Sequence, residues 1–427
     1  MRSKLEMLQE LVRFGVRNVG RNRRRSLITG TMIALAVTGV IFFKAYALGI
    51  ERVMVNMAVE GLVGAIQLQR EGYLQSADLG TLDLDLPEDG GILEKVALNA
   101  NVQDVAPRLL FTGFLSNGDT SNMFFGLAID PTKEPAVCPS GPGAKSRSGE
   151  RAAFNALVAG GPLERSDEEA VLLTDTLARA LAVSVGDNLV LLVRTRNGSM
   201  DSVDLTVKGL FHYDDPIGNQ QFGVVPLLTA QRLLHMKGRV TAIALSVVDR
   251  AQLEATAQQL QASLKELTPA VVATPWQLLA PYYNDVAGLQ EGMLNIVFFV
   301  VLLIVLAGVV NTMMMSTMER KREIGTLMAM GFRRWAINAL FIIEALWLSL
   351  FGTLAGLVLG IVLVQVARKT GINFAIPAGG TVMTYPELRM ASIWVAMVGA
   401  FVSALLASLL PAYRASRLQP IEALRSD

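Results

Sequence analysis

The chain has 427 residues, of which 52% are hydrophobic and only 18% charged, and its mean hydropathy is +0.42. This composition excludes an ordinary soluble protein of this length and indicates a membrane protein. The net charge of +1 gives no indication of nucleic acid as a partner, so the positions of the charges matter more than their sum.

The first predicted element is a cytoplasmic amphipathic helix in residues 1–25. In its segment "LEMLQELVRFGVRN" apolar residues recur at helical spacing, and basic residues lie between them. Such a helix is expected to lie along the inner leaflet against anionic lipid, or to pack on a cytoplasmic partner. Both alternatives place it at the cytoplasmic surface of a membrane.

Four segments approach or exceed the roughly 20 apolar residues that cross a bilayer core of about 30 Å. We predict transmembrane helices at residues 26–50, 292–318, 336–367 and 392–411. Basic residues crowd the N-terminus, the link at 319–335 and the tail at 412–427, and lysine and arginine resist translocation. We therefore expect both termini in the cytoplasm, a large domain at residues 51–291 on the outer side, and a short outer loop at 368–391.

The outer domain is predicted to be a mixed α+β fold, because strand-like runs are interspersed with helical ones. The runs "AIQLQREGY", "NLVLLVRT", "VDLTVKGLF" and "VTAIALSVV" are typical of strands, whereas "TDTLARALAV" and "AQLEATAQQLQASLKEL" are typical of helices. Residues 131–150 are rich in proline, glycine and serine, so we expect an exposed, mobile loop there. The single cysteine, Cys138, falls in this loop and is expected to be an inert thiol.

The sequence contains no clear motif for catalysis, metal binding or nucleotide binding. The only histidines, His212 and His235, do not have metal-ligand spacing, and no serine lies in a nucleophile-elbow sequence. We therefore predict no metal site and no catalytic residue. The segment "GPGAKS" lacks the Gly-Lys dipeptide of a phosphate-binding loop, so the chain is expected to bind no nucleotide or other cofactor itself. Asp214 and Asp215 precede a proline and are interpreted as turn formers.

Several segments, in the same order along nearly the whole chain, resemble one family of permeases. They are "VRNVGRNRRRSLIT", "VAPRLLFTGFLSNG", "GLAIDPTKE", "LLTDTLARALAVSVGDNLVLL", "ERKREIGTLMAMGFRRWAI" and "PAYRASRLQPIEALR". The family includes the lipoprotein-releasing, macrolide-exporting and cell-division ABC systems, and the lipoprotein-releasing permeases are the most similar. The resemblance implies a bacterial inner-membrane subunit with four transmembrane helices and a large periplasmic domain after the first.

The resemblance also implies a mechanism. ATP and magnesium are expected in a partner, a cytoplasmic ABC ATPase dimer, whose cycle moves the periplasmic domains instead of carrying a substrate through the bilayer (mechanotransmission). A chain that has no nucleotide-binding motif but has a charged inner hinge is expected to take its energy from another subunit.

The segment 319–335 is accordingly interpreted as the ATPase-coupling segment. We predict that its charged residues dock by salt bridges, that its apolar residues fill a groove on the ATPase, and that its glycines punctuate the hinge. The residues are Glu319, Arg320, Arg322, Glu323, Ile324, Gly325, Leu327, Met328 and Gly331. The alternative is that the arginines serve only to fix the topology.

Small residues recur at every fourth position in the third predicted span, at Gly352, Gly356 and Gly360, and permit close helix packing. This packing lies either within one subunit or across a dimer axis, against a second copy or a homologous permease. Glu344 and Asn311 lie at comparable depths in their spans, so we expect a hydrogen bond between them in preference to a proton-shuttling Glu344.

Amphiphilic cargo that enters from the outer leaflet is expected to contact apolar residues at the outer ends of the first two spans. The predicted substrate groove consists of Phe42, Phe43, Tyr46, Met293 and Phe298. The alternative is that these side chains face lipid or one another.

Two functions remain open. The chain is either a permease subunit that extracts or transfers a lipoprotein or another amphiphile, or a non-transporting transmitter that regulates a periplasmic enzyme or adaptor. A lone receptor without an ATPase is a weaker third interpretation. In the family, the subunit that captures the soluble lipoprotein carrier has an extended loop, whereas the corresponding turn here, at residues 194–205, is short. The chain is therefore interpreted as the other member of a heterodimer, or as a homodimeric relative with different cargo.

Overall fold

The computed structural model describes residues 23–76, 81–89, 91–142, 157–213, 220–265, 267–376 and 380–416. The chain divides into two compact units. The helical unit comprises Met1–Glu51, Ala287–Ile372 and Thr384–Asp427, and the α/β unit comprises Arg52–Val286 and Asn373–Met383. The predicted amphipathic helix up to residue 22, the turn at Asp214 and Asp215, and the tail from residue 417 lie outside the described residues.

Twelve α-helices are defined in the described residues. They are α1 (Arg23–Ala58), α2 (Tyr73–Ser76), α3 (Ile92–Ala97), α4 (Glu134–Val137), α5 (Asp175–Ala180), α6 (Leu227–Leu233), α7 (Leu253–Leu264), α8 (Trp276–Leu279), α9 (Pro281–Glu319), α10 (Lys321–Ala329), α11 (Arg334–Thr370) and α12 (Met390–Ser416). A π-helical turn, Val59–Val63, continues α1, and a 3-10 turn, Arg250–Gln252, precedes α7.

The strands of the same residues form one large sheet and two small ones. They are β1 (Ile66–Arg70), β2 (Leu86–Pro87), β3 (Val102–Ser116), β4 (Ser121–Ile129), β5 (Leu157–Gly160), β6 (Ala170–Thr174), β7 (Asn188–Arg194), β8 (Met200–Phe211), β9 (Phe222–Pro226), β10 (Arg239–Val240), β11 (Ala242–Val247), β12 (Val271–Pro275), β13 (Ile372–Ile376) and β14 (Gly380–Thr384).

Among the described residues, four helices are long and apolar enough to cross a membrane: α1, α9, α11 and α12. The strands of the large sheet all lie between the first and the second of these helices, as the predicted fold class requires. α1 and α9 are longer than the predicted spans, with 36 and 39 residues. Such lengths correspond to more than 50 Å at about 1.5 Å per residue, well beyond a bilayer core of about 30 Å. The last part of α1 and the first part of α9 belong to the α/β unit.

The core of the helical unit contains residues from all four long helices. They include Ile33 and Val37 of α1, Val309 of α9, Phe341 of α11 and Ala407 of α12. Other large apolar side chains on the same helices are exposed, such as Phe299, Leu359 and Leu406. A helix that is apolar on both its packed and its exposed faces is typical of a membrane span, where lipid takes the place of water.

The large sheet of the α/β unit contains a closed ring of strands. Its order is β12-β1-β11-β3-β4-β9-β6-β8-β5, and β7 pairs with both β3 and β8. The ring therefore runs β3-β4-β9-β6-β8-β7 and back to β3. Side chains alternate between buried and exposed along β7, as a half-buried strand requires. Leu191 and Val193 on its buried side share one apolar core with Phe111 of β3 and Phe124 of β4.

The turn between β7 and β8 is short, as the sequence predicted. β7 ends at Arg194 and β8 begins at Met200, directly opposite it in the register. The backbone nitrogen of Thr195 donates to the carbonyl oxygen of Ser199 over 2.8 Å. Gly198 closes the turn with a φ of +84°, a value that side-chain-bearing residues rarely adopt.

The prediction of an exposed, mobile loop at residues 131–150 is wrong for residues 131–142. This part contains α4, and Glu134, Val137 and Cys138 are buried. Composition misled because the burial of these residues depends on a tertiary contact that no local pattern records. Glu134 pairs with Arg108 of β3, 26 residues away, and Cys138 contacts the same guanidinium. Residues 143–150 lie outside the described ranges.

The predicted outer loop at 368–391 contains secondary structure of its own. β13 and β14 form a two-stranded sheet within it. In the helical unit, the chain that follows packs against α1, because the backbone nitrogen of Glu387 donates to the carbonyl oxygen of Ala45 over 2.9 Å. A Cβ added to Gly49 would lie 2.7 Å from the carbonyl oxygen of Tyr385, so the two backbones are in close contact.

Candidate coupling site

The predicted coupling segment forms a short helix between two long ones. α9 ends at Glu319, and Arg320 interrupts the helical path with φ −100° and ψ 18° before α10 begins at Lys321. The nitrogen of Arg320 still donates to the carbonyl oxygen of Ser316 over 3.2 Å, and its own carbonyl accepts from the nitrogen of Ile324 over 3.0 Å. Arg320 is therefore the bend between α9 and α10.

The C-terminus of α10 is closed by a Schellman motif. The nitrogen of Phe332 donates to the carbonyl of Leu327 over 3.1 Å, and that of Gly331 donates to Met328 over 3.0 Å. Gly331 has a φ of +90°, the left-handed region that favours glycine at this position. Gly331 thus ends the helix, and α11 starts three residues later at Arg334.

Arg320 and Glu344 form an ion pair between the segment and α11. Nη1 of Arg320 donates to Oε2 of Glu344 over 3.0 Å, and Nε of Arg320 donates to Oε2 of Glu323 over 3.1 Å. The side chains of Arg320 and Glu344 are only 12% and 10% exposed. The expected hydrogen bond between Glu344 and Asn311 is replaced by this pair, because Asn311 is exposed on α9 while the long Arg320 side chain reaches Glu344.

The apolar residues of α10 face the chain itself. Ile324 is 4% exposed and shares the core of the helical unit with Ile337 and Phe341, and Met328 packs against the same core. Gly325 is also buried, and Leu327 is half-buried. The prediction that Ile324 fills a groove on an ATPase is therefore wrong for this conformation. Ile324 and Met328 are four residues apart, and that spacing already indicated a common helix face.

A different set of side chains from the segment is exposed. The charged residues Glu319, Arg322 and Glu323 are on the surface, as the docking hypothesis requires. Sequence reasoning missed the exposed apolar residues around them, which are Met318, Met330, Phe332 and Trp335. These residues lie beside the two ends of α10 and outside the four-residue spacing of its buried side chains. That position in the sequence could have indicated that they are exposed. Together these residues form the segment's exposed face.

The three glycines of α11 bring it into contact with α1 of the same chain. A Cβ added to Gly352 would lie 2.8 Å from Cβ of Ile33, and one added to Gly356 would lie 2.5 Å from the carbonyl oxygen of Ala34. The hydroxyl of Thr38 donates to the carbonyl oxygen of Gly356 over 3.0 Å. These residues therefore mediate packing within one subunit, the first of the two alternatives that the sequence left open.

The small residues of α12 serve other interfaces. A Cβ added to Gly399 would lie 2.9 Å from the ring of Phe298 on α9. Ser349 of α11 donates to the carbonyl oxygen of Ala400 over 3.3 Å. α12 therefore packs against α9 through Gly399 and against α11 through Ala400.

The five residues of the predicted substrate groove do not form one surface. Phe298 lines a small apolar cleft of about 30 Å³ with Ile33, Val37, Leu302, Gly399 and Ser403 among its walls. Phe42 instead contacts Phe43 and Tyr46, at ring-centroid distances of 6.1 and 6.4 Å. Met293 and Phe43 are exposed. The structure thus places Phe298 in a cleft and gathers three of the other residues into a separate aromatic cluster.

A buried charged cluster in the α/β unit escaped the sequence analysis. Arg108 of β3 is 1% exposed, and its guanidinium donates to both carboxylate oxygens of Glu134, one of them at 3.1 Å. It also donates to Sγ of Cys138 at 3.0 Å and to the carbonyl oxygen of Leu62 in the π-helical turn. Burial alone would lower the pKa of Arg108, but the adjacent Glu134 carboxylate raises it above its ordinary value.

In the part of the chain that the structure describes, no group of three or more histidine, cysteine, aspartate or glutamate residues is placed to hold a metal ion. The notable side chains are instead ion pairs and close-packed glycines that join one helix to the next. Together with the four candidate membrane helices and the large sheet between the first two, the fold is that of a multi-pass membrane protein with an α/β domain inserted after its first span.

Comparison with known proteins identifies the family. Residues 26–263 match the MacB-like periplasmic core domain, and residues 295–420 match the FtsX-like permease C-terminal domain. The chain belongs to this family of ABC transporter permeases, which confirms the resemblance inferred from its motifs.

Individual relatives differ in how much of the chain they share. An uncharacterized ABC transporter permease of Methanocaldococcus jannaschii is 30% identical over 217 residues, which are 49% of this chain and 53% of that protein. The macrolide export ATP-binding/permease protein MacB of Nitrobacter winogradskyi is 29% identical over 285 residues, 62% of this chain and 39% of that protein. The chain thus spans about half or less of these two relatives.

The chain is also similar to a lipoprotein-releasing protein and to a solved periplasmic domain. The lipoprotein-releasing system transmembrane protein LolE of Haemophilus influenzae is 24% identical over 350 residues, 78% of this chain and 80% of that protein. The crystal structure of the periplasmic region of MacB from Actinobacillus actinomycetemcomitans is 13% identical and covers 55% of this chain and 98% of that one, with a TM-score of 0.36.

Proposed function

We propose that this chain is the permease subunit of an ABC transporter that couples ATP hydrolysis, in a separate cytoplasmic ATPase dimer, to movements of its periplasmic α/β unit. The cargo is a lipoprotein or another amphiphile, and ATP and magnesium bind to the ATPase subunits. The working complex contains two permeases, either two copies of this chain or one copy and a homologue, in the bacterial inner membrane. Both termini and the coupling segment are cytoplasmic.

One observation carries the proposal. The segment between α9 and α11 is a helix whose inner face is fixed to its own unit by Ile324 and whose outer face is exposed. Large aromatic side chains are exposed next to it, Phe332 in the link after α10 and Trp335 in the first turn of α11, and aromatic residues are enriched among the anchors of protein interfaces. A segment that served only to fix the topology would need the basic residues but not the exposed aromatic ones.

Reconstitution with a cognate ATPase tests this function. Replacing Phe332 and Trp335 with alanine is expected to weaken ATPase binding by about 2 kcal/mol or more, because aromatic anchors dominate interface energies. The matched control is Leu359→Ala, which removes an exposed apolar side chain from the middle of α11. ATPase binding is measured by co-purification and titration in detergent. Equal binding by both variants and the control would contradict the proposal.

The sequence similarity to LolE extends over 78% of this chain and supports a lipoprotein as cargo. ATP-driven release of a lipoprotein from proteoliposomes that contain the complex is the direct test. Photo-crosslinkers at Phe298 are expected to capture cargo, whereas crosslinkers at the exposed Phe299, one residue further along α9, serve as the control. Release without capture at Phe298 would exclude the apolar cleft as the route.

The second candidate function is the non-transporting transmitter. The observation that favours it is the size of the apolar cleft, about 30 Å³, which is far below the roughly 300–1,000 Å³ of pockets that hold drug-sized ligands and far too small for a lipid. On this hypothesis the α/β unit switches a periplasmic enzyme or adaptor, and ATP hydrolysis releases no lipoprotein. The short β7–β8 turn fits either function, provided that a soluble carrier is captured by another subunit.

A further inference from the structure

The guanidinium of Arg320 joins three consecutive elements at one point. Its backbone forms the bend between α9 and α10, and its side chain contacts Glu323 on α10 and Glu344 on α11. The backbone hydrogen bonds from Arg320 to Ser316 and from Ile324 to Arg320 tie the same residue to both flanking helices. A rotation of α10 about this bend would therefore have to break the contact with Glu344.

Burial distinguishes Arg320 from the other charged residues of the segment. The side chain of Glu323 is 44% exposed, whereas those of Arg320 and Glu344 are 12% and 10% exposed. An ion pair with so little water around it is weakly screened, and removal of one partner leaves the other charge in an unfavourable environment. Arg320 therefore has little surface to offer a docking partner, although the sequence suggested that role.

The pair lies at the start of a continuous series of contacts. Glu344 is on α11, and α11 packs backbone to backbone against α1 through Gly352 and Gly356. α1 is also the helix whose C-terminal part belongs to the α/β unit. Close-packed helices move as bodies because their interfaces resist deformation.

We propose that the Arg320–Glu344 pair is a latch that makes the coupling helix α10 and the membrane helix α11 move together. Both are positioning residues: they contact neither nucleotide nor ATPase, and they transmit a displacement of α10 to α11 and onward to α1. Ile324 provides the apolar half of the same attachment, since it is buried against Ile337 and Phe341. This inference rests on the proposed function insofar as an ATPase supplies the displacement.

The first test needs no ATPase. Spin labels are attached to cysteines that replace Ala329, at the exposed end of α10, and Leu354, exposed on α11. The inter-label distance distribution is measured by pulsed EPR in the full chain. It is expected to be narrow in the parent and to broaden in Glu344→Gln, which keeps the shape of the side chain but removes its charge. The control is Lys321→Gln, which removes the neighbouring positive charge of α10 and is expected to leave the distribution narrow.

The second test uses the complex with its ATPase. Glu344→Gln and Arg320→Met are expected to assemble with the ATPase to within about twofold of the parent, while outer-side activity per ATP hydrolysed falls by about tenfold, the usual scale of a coupling energy. The double variant Arg320→Glu with Glu344→Arg restores the attraction with reversed charges and is expected to recover part of the ratio. Arg320→Lys retains the charge but lacks the planar guanidinium, whose Nε and Nη1 reach Glu323 and Glu344 separately, so an intermediate ratio is expected.

The two tests separate the latch from the function on which it rests. If the parent chain binds no ATPase, the proposed function fails, and the EPR distances still decide whether Arg320 and Glu344 hold α10. Unchanged distances in Glu344→Gln would overturn the latch, and so would full coupling in both single variants. If the charge-reversed variant does not fold, Glu344→Gln and Arg320→Lys still decide the result.

Discussion

Arg108 lies in the middle of β3 with almost no solvent around it, and its charge is balanced by Glu134 from a helix that the sequence did not reveal. A charged residue in an apolar strand pattern is ordinarily expected to point outward. The sequence could not indicate otherwise, because the partner is 26 residues away in a segment whose composition predicted a loop. Burial of this kind depends on tertiary contacts, which no local pattern records.

Removing one member of this pair is expected to destabilise the α/β unit strongly. Arg108→Met leaves the Glu134 carboxylate buried without its counter-charge, so we expect a loss of about 3–5 kcal/mol in the free energy of unfolding. Denaturant unfolding of the full chain in detergent measures the loss. The control is Arg179→Met, which breaks a surface pair with Asp175 and is expected to cost less than about 1 kcal/mol. Similar losses in the two variants would contradict the burial argument.

Cys138 belongs to the same cluster, and its chemistry follows from its surroundings. Burial raises the pKa of its thiol to about 11, although the charge of Arg108 acts in the opposite direction. The thiolate is the reactive form, so we expect negligible modification by maleimide near neutral pH in the folded chain and rapid modification after unfolding. The inert thiol expected from the sequence therefore remains a prediction, and its physical reason is burial and not a loop location.

The raised pKa of Cys138 also makes the stability of the fold depend on pH. The folded state holds the Cys138 proton more tightly than the unfolded state, whose thiol has the ordinary pKa of 9.0. The stabilising contribution is therefore complete below pH 9.0 and is lost as the pH rises towards about 11. Comparison of alkaline unfolding in the parent and in Cys138→Ala measures the difference, and identical alkaline profiles would contradict it.

At the scale of helices and strands, the sequence predicted the elements whose patterns are local. The run "NLVLLVRT" forms β7 with the expected alternation, and "AQLEATAQQLQASLKEL" contains α7. The continuation of α1 and α9 into the α/β unit was missed, because hydropathy marks where a helix enters lipid and not where it ends. The orientation of α10 was partly misjudged, since Ile324 was interpreted as an outward-facing residue.

The close contact between α1 and α11 predicts a large effect of a single methyl group. Gly356→Ala places a Cβ 2.5 Å from the carbonyl oxygen of Ala34, so the helices must separate, and we expect a cost of about 1–3 kcal/mol. Gly39→Ala is the matched control, because no atom lies within 4 Å of the added Cβ. Since alanine is the better helix former, Gly39→Ala is expected to be neutral or slightly stabilising. SDS titration of both variants measures the difference, and a neutral Gly356→Ala would contradict this packing.

The edge of the large sheet is covered by one side chain. Within the described residues β12 is an edge strand, and the amide of Gln261 on α7 donates to the carbonyl of Val271 over 3.2 Å and accepts from the nitrogen of Ala273 over 2.8 Å. Gln261→Leu uncovers both backbone groups, so we expect self-association, because unpaired edges recruit other strands. Gln258→Leu adds the same apolar group to an exposed position of α7 and serves as the control. Light scattering in detergent measures association, and a monodisperse Gln261→Leu would refute the capping role.

For the whole molecule, the sequence predicted the fold class and the family, because four long apolar runs and a set of ordered motifs are global features. The sequence could not show which residues of these helices contact one another. The contacts from Arg320 to Glu344 and from Gly356 to Ala34 join residues far apart in the chain, and their partners are set by the fold alone.

The orientation of the chain in the membrane can be tested by labelling introduced cysteines. If the coupling segment is cytoplasmic, a cysteine at Met330 should react with an impermeant thiol reagent only after the membrane is opened. A cysteine at Ser199, in the exposed β7–β8 turn, should react from the outside in intact spheroplasts. The parent chain is the control, because its Cys138 is buried. Labelling of Met330 from the outer side would contradict the orientation proposed for the coupling segment.

The order of strands in the large sheet has a consequence for biogenesis. β1 is the first strand of the large sheet to be synthesised, but its two neighbours are β11 and β12, which end at Val247 and Pro275. Because a ribosome builds the chain from its N-terminus, β1 must wait until nearly the whole α/β unit exists before either side is paired. Non-local pairing of this kind slows folding and leaves edges open in the meantime. A nascent chain that stops before Val271 can cover at most one side of β1, so truncated products are expected to be the species that quality-control proteases remove.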